Sequence, residues 1–112
     1  MNSLNGQLSV AHKTILDIAS SCLITQPIDF EALCVCCWEM EPSIFGLKRF
    51  EDRHPNFHIF RCNFYGKSGL LTRKLVEKRL TKFGWKYYLT EKGYVIGTKL
   101  RLEREAKEED FK

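Results

Sequence analysis

Cys34-x-x-Cys37 followed by His54-x-x-x-His58 has the ligand types and pairwise spacings of a two-cysteine, two-histidine zinc finger. The 16 residues between the pairs are long for such a finger. Both cysteines also fall on the apolar face of a helical pattern, beside Leu33 and Trp38, where a finger would need a hairpin. The pattern therefore predicts buried thiols and surface imidazoles, with no metal. His54, His58 and Cys62 share one helical spacing, but no second cluster of ligands joins them to make a metal or redox sensor. For nucleophilic catalysis the chain offers thiols without an evident histidine and orienting carboxylate. It has neither a glycine-rich phosphate loop nor paired acids in a recognisable setting. The chemistry reads as that of a binding protein, neither an enzyme nor dependent on a cofactor.

Charge is more informative. Residues 1–60 hold four Lys/Arg against seven Asp/Glu, whereas residues 61–86 hold eight (Arg61, Lys67, Arg73, Lys74, Lys78, Arg79, Lys82 and Lys86) against Glu77 alone. Residues 87–112 balance at six against six. Positive charge gathered in one quarter of the chain is the pattern of a surface that meets a polyanion. No run approaches the roughly 18 apolar residues that span a bilayer, and residues 1–9 lack the charged and apolar segments of a secretion signal. Five cysteines, an odd number, argue for reduced thiols and a cytosolic setting.

At 112 residues the chain is long enough for one core and too short for two. Over residues 9–23, Val10, Ala11, Ile15, Ile18, Ala19, Cys22 and Leu23 recur at helical spacing after Ser9, a suitable N-cap. A second helix, ending near Met40, opens at Asp29, with Ile28 and Leu33 placed as a hydrophobic staple. Residues 42–53 show no clean period and read as a turn with one short helical piece. Pro55 suits the first position of a third helix, on which Phe57, Phe60 and Phe64 form a core stripe ending near Gly66. Residues 75–90 alternate in two aromatic-rich runs joined by Lys82-Phe83-Gly84, a β-hairpin in which Gly84 supplies positive φ. A last helix starts at Thr90 and runs into a charged end whose final turns are too polar to be buried in a monomer.

The order helix, helix, helix, hairpin, helix, with Leu89-Thr90-Glu91-Lys92-Gly93 leaving the hairpin, resembles the winged helix-turn-helix family over roughly residues 9–98. In that family a Leu-Thr-x-x-Gly segment commonly opens the C-terminal helix. The resemblance implies an α+β, mostly helical domain with a two- or three-stranded antiparallel wing, residues 23–28 serving as a short first strand. Residues 1–8 would form a flexible lead, residues 9–98 the domain and residues 99–112 a charged helical extension.

It further implies double-stranded DNA as the partner and transcriptional regulation as the role. The helix at about 55–66 would lie in the major groove and the hairpin at about 75–90 beside the backbone. Asn56, His58, Arg61 and Asn63 would face base edges; Lys67, Arg73, Lys74, Lys82 and Lys86 would hold phosphates. Ile59 and Cys62 depart from the pattern by standing mid-face, where a base-reading surface should be polar. Val95 and Leu102 on the last helix allow a homodimer. The other reading is a protein-interaction module on the same scaffold that does not bind DNA, since fold does not fix function.

Overall fold

The computed structural model describes residues 8–21 and 24–110. Ser9 caps helix α1 (Val10–Ala19), its side chain accepting a hydrogen bond from the His12 amide at 3.1 Å. The helix ends before the expected position. Hydroxyls of Ser20 and Ser21 donate to the carbonyls of Asp17 (2.8 Å) and Ile18 (2.7 Å), giving these groups partners that do not require the helix to continue. Cys22 and Leu23, counted on its stripe, lie outside the described residues.

Helix α2 (Phe30–Met40) starts as its sequence predicts, Asp29 accepting from the Ala32 amide at 3.1 Å with Ile28 and Leu33 both in the core. After it the chain holds more structure than its sequence suggests. One turn, α3 (Pro42–Phe45), leads directly into a small hairpin of β1 (Gly46–Leu47) and β2 (Phe50–Pro55), paired antiparallel with a bulge. The Trp38 indole of α2 donates to the Glu51 carbonyl at 2.6 Å and ties this hairpin down. Arg49, at positive φ (76°), makes its tight turn.

Pro55 therefore does not open the third helix. It closes β2 opposite Gly46, and Asn56 is the cap of α4 (Phe57–Cys62), accepting from the Ile59 amide at 3.1 Å. Beyond Cys62 the turn continues through bonds from the amides of Phe64 and Tyr65 to carbonyls three residues back. Phe60 and Phe64 are fully buried as the stripe requires, while Phe57 is half exposed. Phe30 of α2 sits at the centre of this cluster, its ring centroid 5.7 Å from Phe60, 4.7 Å from Phe64 and 4.5 Å from Tyr87.

Strands β3 (Val76–Thr81) and β4 (Gly84–Leu89) form the second hairpin, in register from Val76↔Leu89 to Thr81↔Gly84. Gly84 has φ +102° as expected, although it already pairs, so the tip is Lys82 and Phe83. No strand forms among residues 24–28. That segment touches β4 through one backbone bond, Ile28 amide to Tyr87 carbonyl (2.7 Å), and through the Gln26 side chain, which accepts from the Leu89 amide (2.9 Å).

Helix α5 (Glu91–Asp110) runs without a break past residue 98 and packs along α1. Thr90 caps it, its hydroxyl accepting from the Gly93 amide (3.0 Å) and donating to the Lys74 carbonyl (2.7 Å). The result is an α+β fold, about half helical, with two small antiparallel sheets. Among the described residues no helix is long and apolar enough to cross a membrane.

Candidate nucleic-acid interface

Period-two alternation divides the β3–β4 hairpin into two faces. One carries Val76, Lys78 and Leu80 with Leu89, Tyr87 and Trp85; the other carries Glu77, Arg79 and Thr81 with Tyr88 and Lys86. Tyr87 packs against Phe30 and Phe64, so the first face is the one turned toward α4.

On that side cations and rings alternate. The Arg61 guanidinium lies 5.6 Å from the Tyr65 ring centroid. The Lys78 ammonium lies 5.6 Å from Tyr65 and 5.0 Å from Trp85. The Tyr65 and Tyr87 hydroxyls are hydrogen-bonded to each other across the gap between helix and hairpin. Burial pushes the Tyr87 phenol up, and its bond to Tyr65 adds to this. Burial pushes Tyr65 the same way, but the Tyr87 bond, Arg61 and Lys78 together draw it below its ordinary value. Either hydroxyl can donate in this bond, and the cations of Arg61 and Lys78 both act on the Tyr65 oxygen. Arg61, Tyr65 and Gly66 with His58 and Cys62 border a shallow open recess of about 440 Å³.

The residues nominated from sequence are distributed unevenly around this surface. Arg61 belongs to it. His58 is exposed on the same helix, its Nε2 3.6 Å from the Cys62 sulfur. Asn56 and Asn63 occupy the ends of α4, where they serve the helix: Asn56 as its cap, Asn63 by donating from Nδ2 to the Ile59 carbonyl at 2.9 Å. Lys82 is at the hairpin tip, and Lys86 stands on the opposite hairpin face from Lys78. Lys67 and Lys74 are exposed in the connection that follows α4. Arg73 is half-buried, donating from Nε to the Ser68 carbonyl at 2.8 Å, with its charge near His12 on α1. Ile59 and Cys62 are on the exposed side of α4.

Tyr65, Lys78 and Trp85 were not among the nominated residues. A signal for two of them was nonetheless present, because Lys78 alternates in phase with Val76 and Leu80, and Trp85 with Tyr87; Tyr65 has none. On the far face Arg79 is bound to Glu77, Nε to Oε2 at 2.6 Å, and covers the Tyr88 ring at 4.3 Å.

Cys34 and Cys37 are buried on α2, and burial raises both thiols, Cys37 far above the usual range. His54 and His58 lie exposed on β2 and α4. Among the described residues no group of three or more His, Cys, Asp or Glu is arranged to hold a metal. Comparison with protein-family models, with curated proteins and with solved structures returns no match.

Proposed function

We propose that this chain is a winged helix-turn-helix protein that binds double-stranded DNA and acts as a transcriptional regulator in the cytosol or on chromosomal DNA. In this reading α1, α2 and α4 are the three helices, β3–β4 is the wing, and β1–β2 is a hairpin inserted where the turn before the recognition helix would be. The observation that carries it is the Arg61–Tyr65–Lys78–Trp85 series, which joins the exposed side of α4 to the inner face of the wing in one cationic, aromatic surface. Neutralised phosphates release counterions, so affinity for any duplex must fall steeply with salt. Fluorescence anisotropy with a labelled 24-base-pair duplex at low salt tests this. Micromolar binding that weakens as salt rises is expected; no binding to duplexes of several sequences would overturn it.

The protein-interaction reading is favoured by a separate observation. Tyr94, Val95 and Leu102 of α5 are each more than half exposed on the side away from α1, lining a shallow groove with Thr98 and Ala106. A second copy of α5 would cover that groove and give a homodimer, which for a DNA-binding protein sets two half-sites about one helical turn apart. Sedimentation equilibrium of wild type and Leu102→Lys with and without duplex separates the readings: a dimer dissolved by Leu102→Lys that takes up no duplex favours the interaction module, one that takes up duplex makes the dimer part of DNA binding, and a monomeric wild type removes the dimer.

A further inference from the structure

The outer half of the wing exposes apolar surface that the fold does not use. Leu80 and Trp85 are paired across the ladder and Phe83 stands at the turn; they are 68%, 54% and 81% exposed. The turn that presents Phe83 is held firmly. The Thr81 hydroxyl accepts from the Phe83 amide at 3.1 Å and donates to the Gly84 carbonyl at 2.8 Å, and Gly84 supplies a positive φ that a side chain would resist. Cations sit beside the rings: the Lys82 ammonium is 6.0 Å from Phe83, and that of Lys78 5.0 Å from Trp85. An apolar ring carried on a braced turn, with the Lys82 ammonium beside it, contributes nothing to this core. Its value lies in what it meets.

We infer that Phe83 is a wedge that enters between adjacent base pairs of duplex DNA, while Lys82 and Lys78 meet the phosphates beside the opened step. This rests on the DNA-binding reading above and adds to it a deformation of the duplex. Apolar side chains inserted between base steps unstack them and bend the helix, and the bend brings more of the duplex onto the protein. Pyrimidine–purine steps yield most easily. A lipid surface also accepts an aromatic tip flanked by lysines. Here, however, the cationic and aromatic surface continues from the tip through Lys78 and Tyr65 to Arg61 in the recess beside α4. The groove wall of a duplex can follow that path, whereas a flat bilayer would meet only the tip.

The test uses the full chain and duplexes carrying 2-aminopurine within TpA steps, whose fluorescence rises when the base loses its stacking neighbour. Wild type is expected to raise the signal several-fold, and donor–acceptor dyes at the duplex ends to report a bend. Phe83→Ala, at a position without packing partners to lose, should abolish both responses and weaken binding about ten-fold, with the salt dependence kept because the lysines remain. Phe83→Leu should retain most of the response. Wild-type binding with no fluorescence change, or an unchanged response in Phe83→Ala, overturns the wedge and leaves DNA binding intact. If no duplex is bound, both readings fail. Phe83-dependent adsorption to phosphatidylserine–phosphatidylcholine vesicles would then assign the tip to a lipid surface.

Discussion

Arg104 holds Asp17 through two contacts, Nε to Oδ2 at 2.9 Å and Nη2 to Oδ1 at 3.0 Å, and so fastens α5 to α1 across 87 positions of sequence. The two ends of this bridge are not equivalent. The Asp17 side chain is 7% exposed and that of Arg104 31%, with Glu108 a second partner for the arginine at 3.2 Å. Removing the arginine strands a buried carboxylate, whereas removing the carboxylate's charge leaves a guanidinium that still reaches water and Glu108. Fully buried pairs lose about 3–5 kcal/mol when one partner goes; with the arginine a third exposed, about 2 kcal/mol is expected for Arg104→Met and about 1 kcal/mol for Asp17→Asn. Urea unfolding followed by circular dichroism checks the order. Equal losses would mean that burial of Asp17 has no energetic consequence.

Gly97 sets the spacing of the same two helices. A Cβ there would overlap the carbonyl of Leu16, which is backbone and cannot rotate aside. Alanine gains up to about 1 kcal/mol of helix propensity over glycine, but a clash with backbone falls toward the upper end of the usual overpacking cost of about 1–3 kcal/mol, so Gly97→Ala should destabilise by about 1–2 kcal/mol. Thr98, one position on, has a buried hydroxyl with no hydrogen-bond partner among the described residues. Thr98→Ala should therefore be neutral or slightly stabilising, so in thermal melts Gly97→Ala should fall below wild type while Thr98→Ala does not.

His12 on α1 gives the fold a pH dependence. Burial, then the nearby charge of Arg73, lowers its pKa below the usual 6.5, and its Nδ1 has no hydrogen-bond partner among the described residues. The unfolded chain therefore takes up a proton near pH 6.5 that the folded chain refuses. Stability from this group is full above that pH and is lost as pH falls toward the folded value. The slope is at most about 1.4 kcal/mol per pH unit. Comparing urea midpoints of wild type and His12→Gln between pH 7.5 and 5.5 isolates the contribution; equal slopes would show that His12 protonates alike in both states.

Lys78 and Lys86 lie on opposite faces of the β3–β4 hairpin, and binding should distinguish them. Lys78→Ala removes the cation between Tyr65 and Trp85, so it should weaken duplex binding several-fold and lower the salt slope by about 1. Lys86→Ala should change both less. The reverse ranking in an anisotropy titration would mean that the outer hairpin face meets DNA.

How far the sequence was readable depended on which interactions define each element. Asp29 with Ile28 and Leu33 marks α2 because cap and staple are local signals, and the β3–β4 hairpin declares itself by alternation around Gly84. The β1–β2 hairpin has no such pattern: the middle of β2 is Glu51-Asp52-Arg53-His54, mostly exposed, and the hairpin is held by backbone pairing and by the Trp38 indole, thirteen residues from its acceptor. That hairpin also explains the misplaced start of α4. Pro55 fits either the first turn of a helix or the end of an edge strand, and pairing with Gly46 selects the strand, leaving the cap to Asn56. With the helix shortened, Asn56 moves from its first turn to its N-cap and Asn63 from its interior to its C-cap. Lys78 and Trp85 were legible as neighbours on one hairpin face, but their approach to Tyr65 required the hairpin to fold back on α4, which no local pattern encodes.

The most direct test is a nitrogen-15 NMR titration of the full chain with an unlabelled duplex, read at the two tryptophan indoles and along the backbone. Trp85 is half exposed on the proposed surface, while the Trp38 indole is bonded to the Glu51 carbonyl. The account predicts that the Trp85 indole and the amides of Arg61, Tyr65, Lys78 and Phe83 shift together while the Trp38 indole stays in place. Shifts confined to α5, or none at duplex excess and low salt, would contradict it.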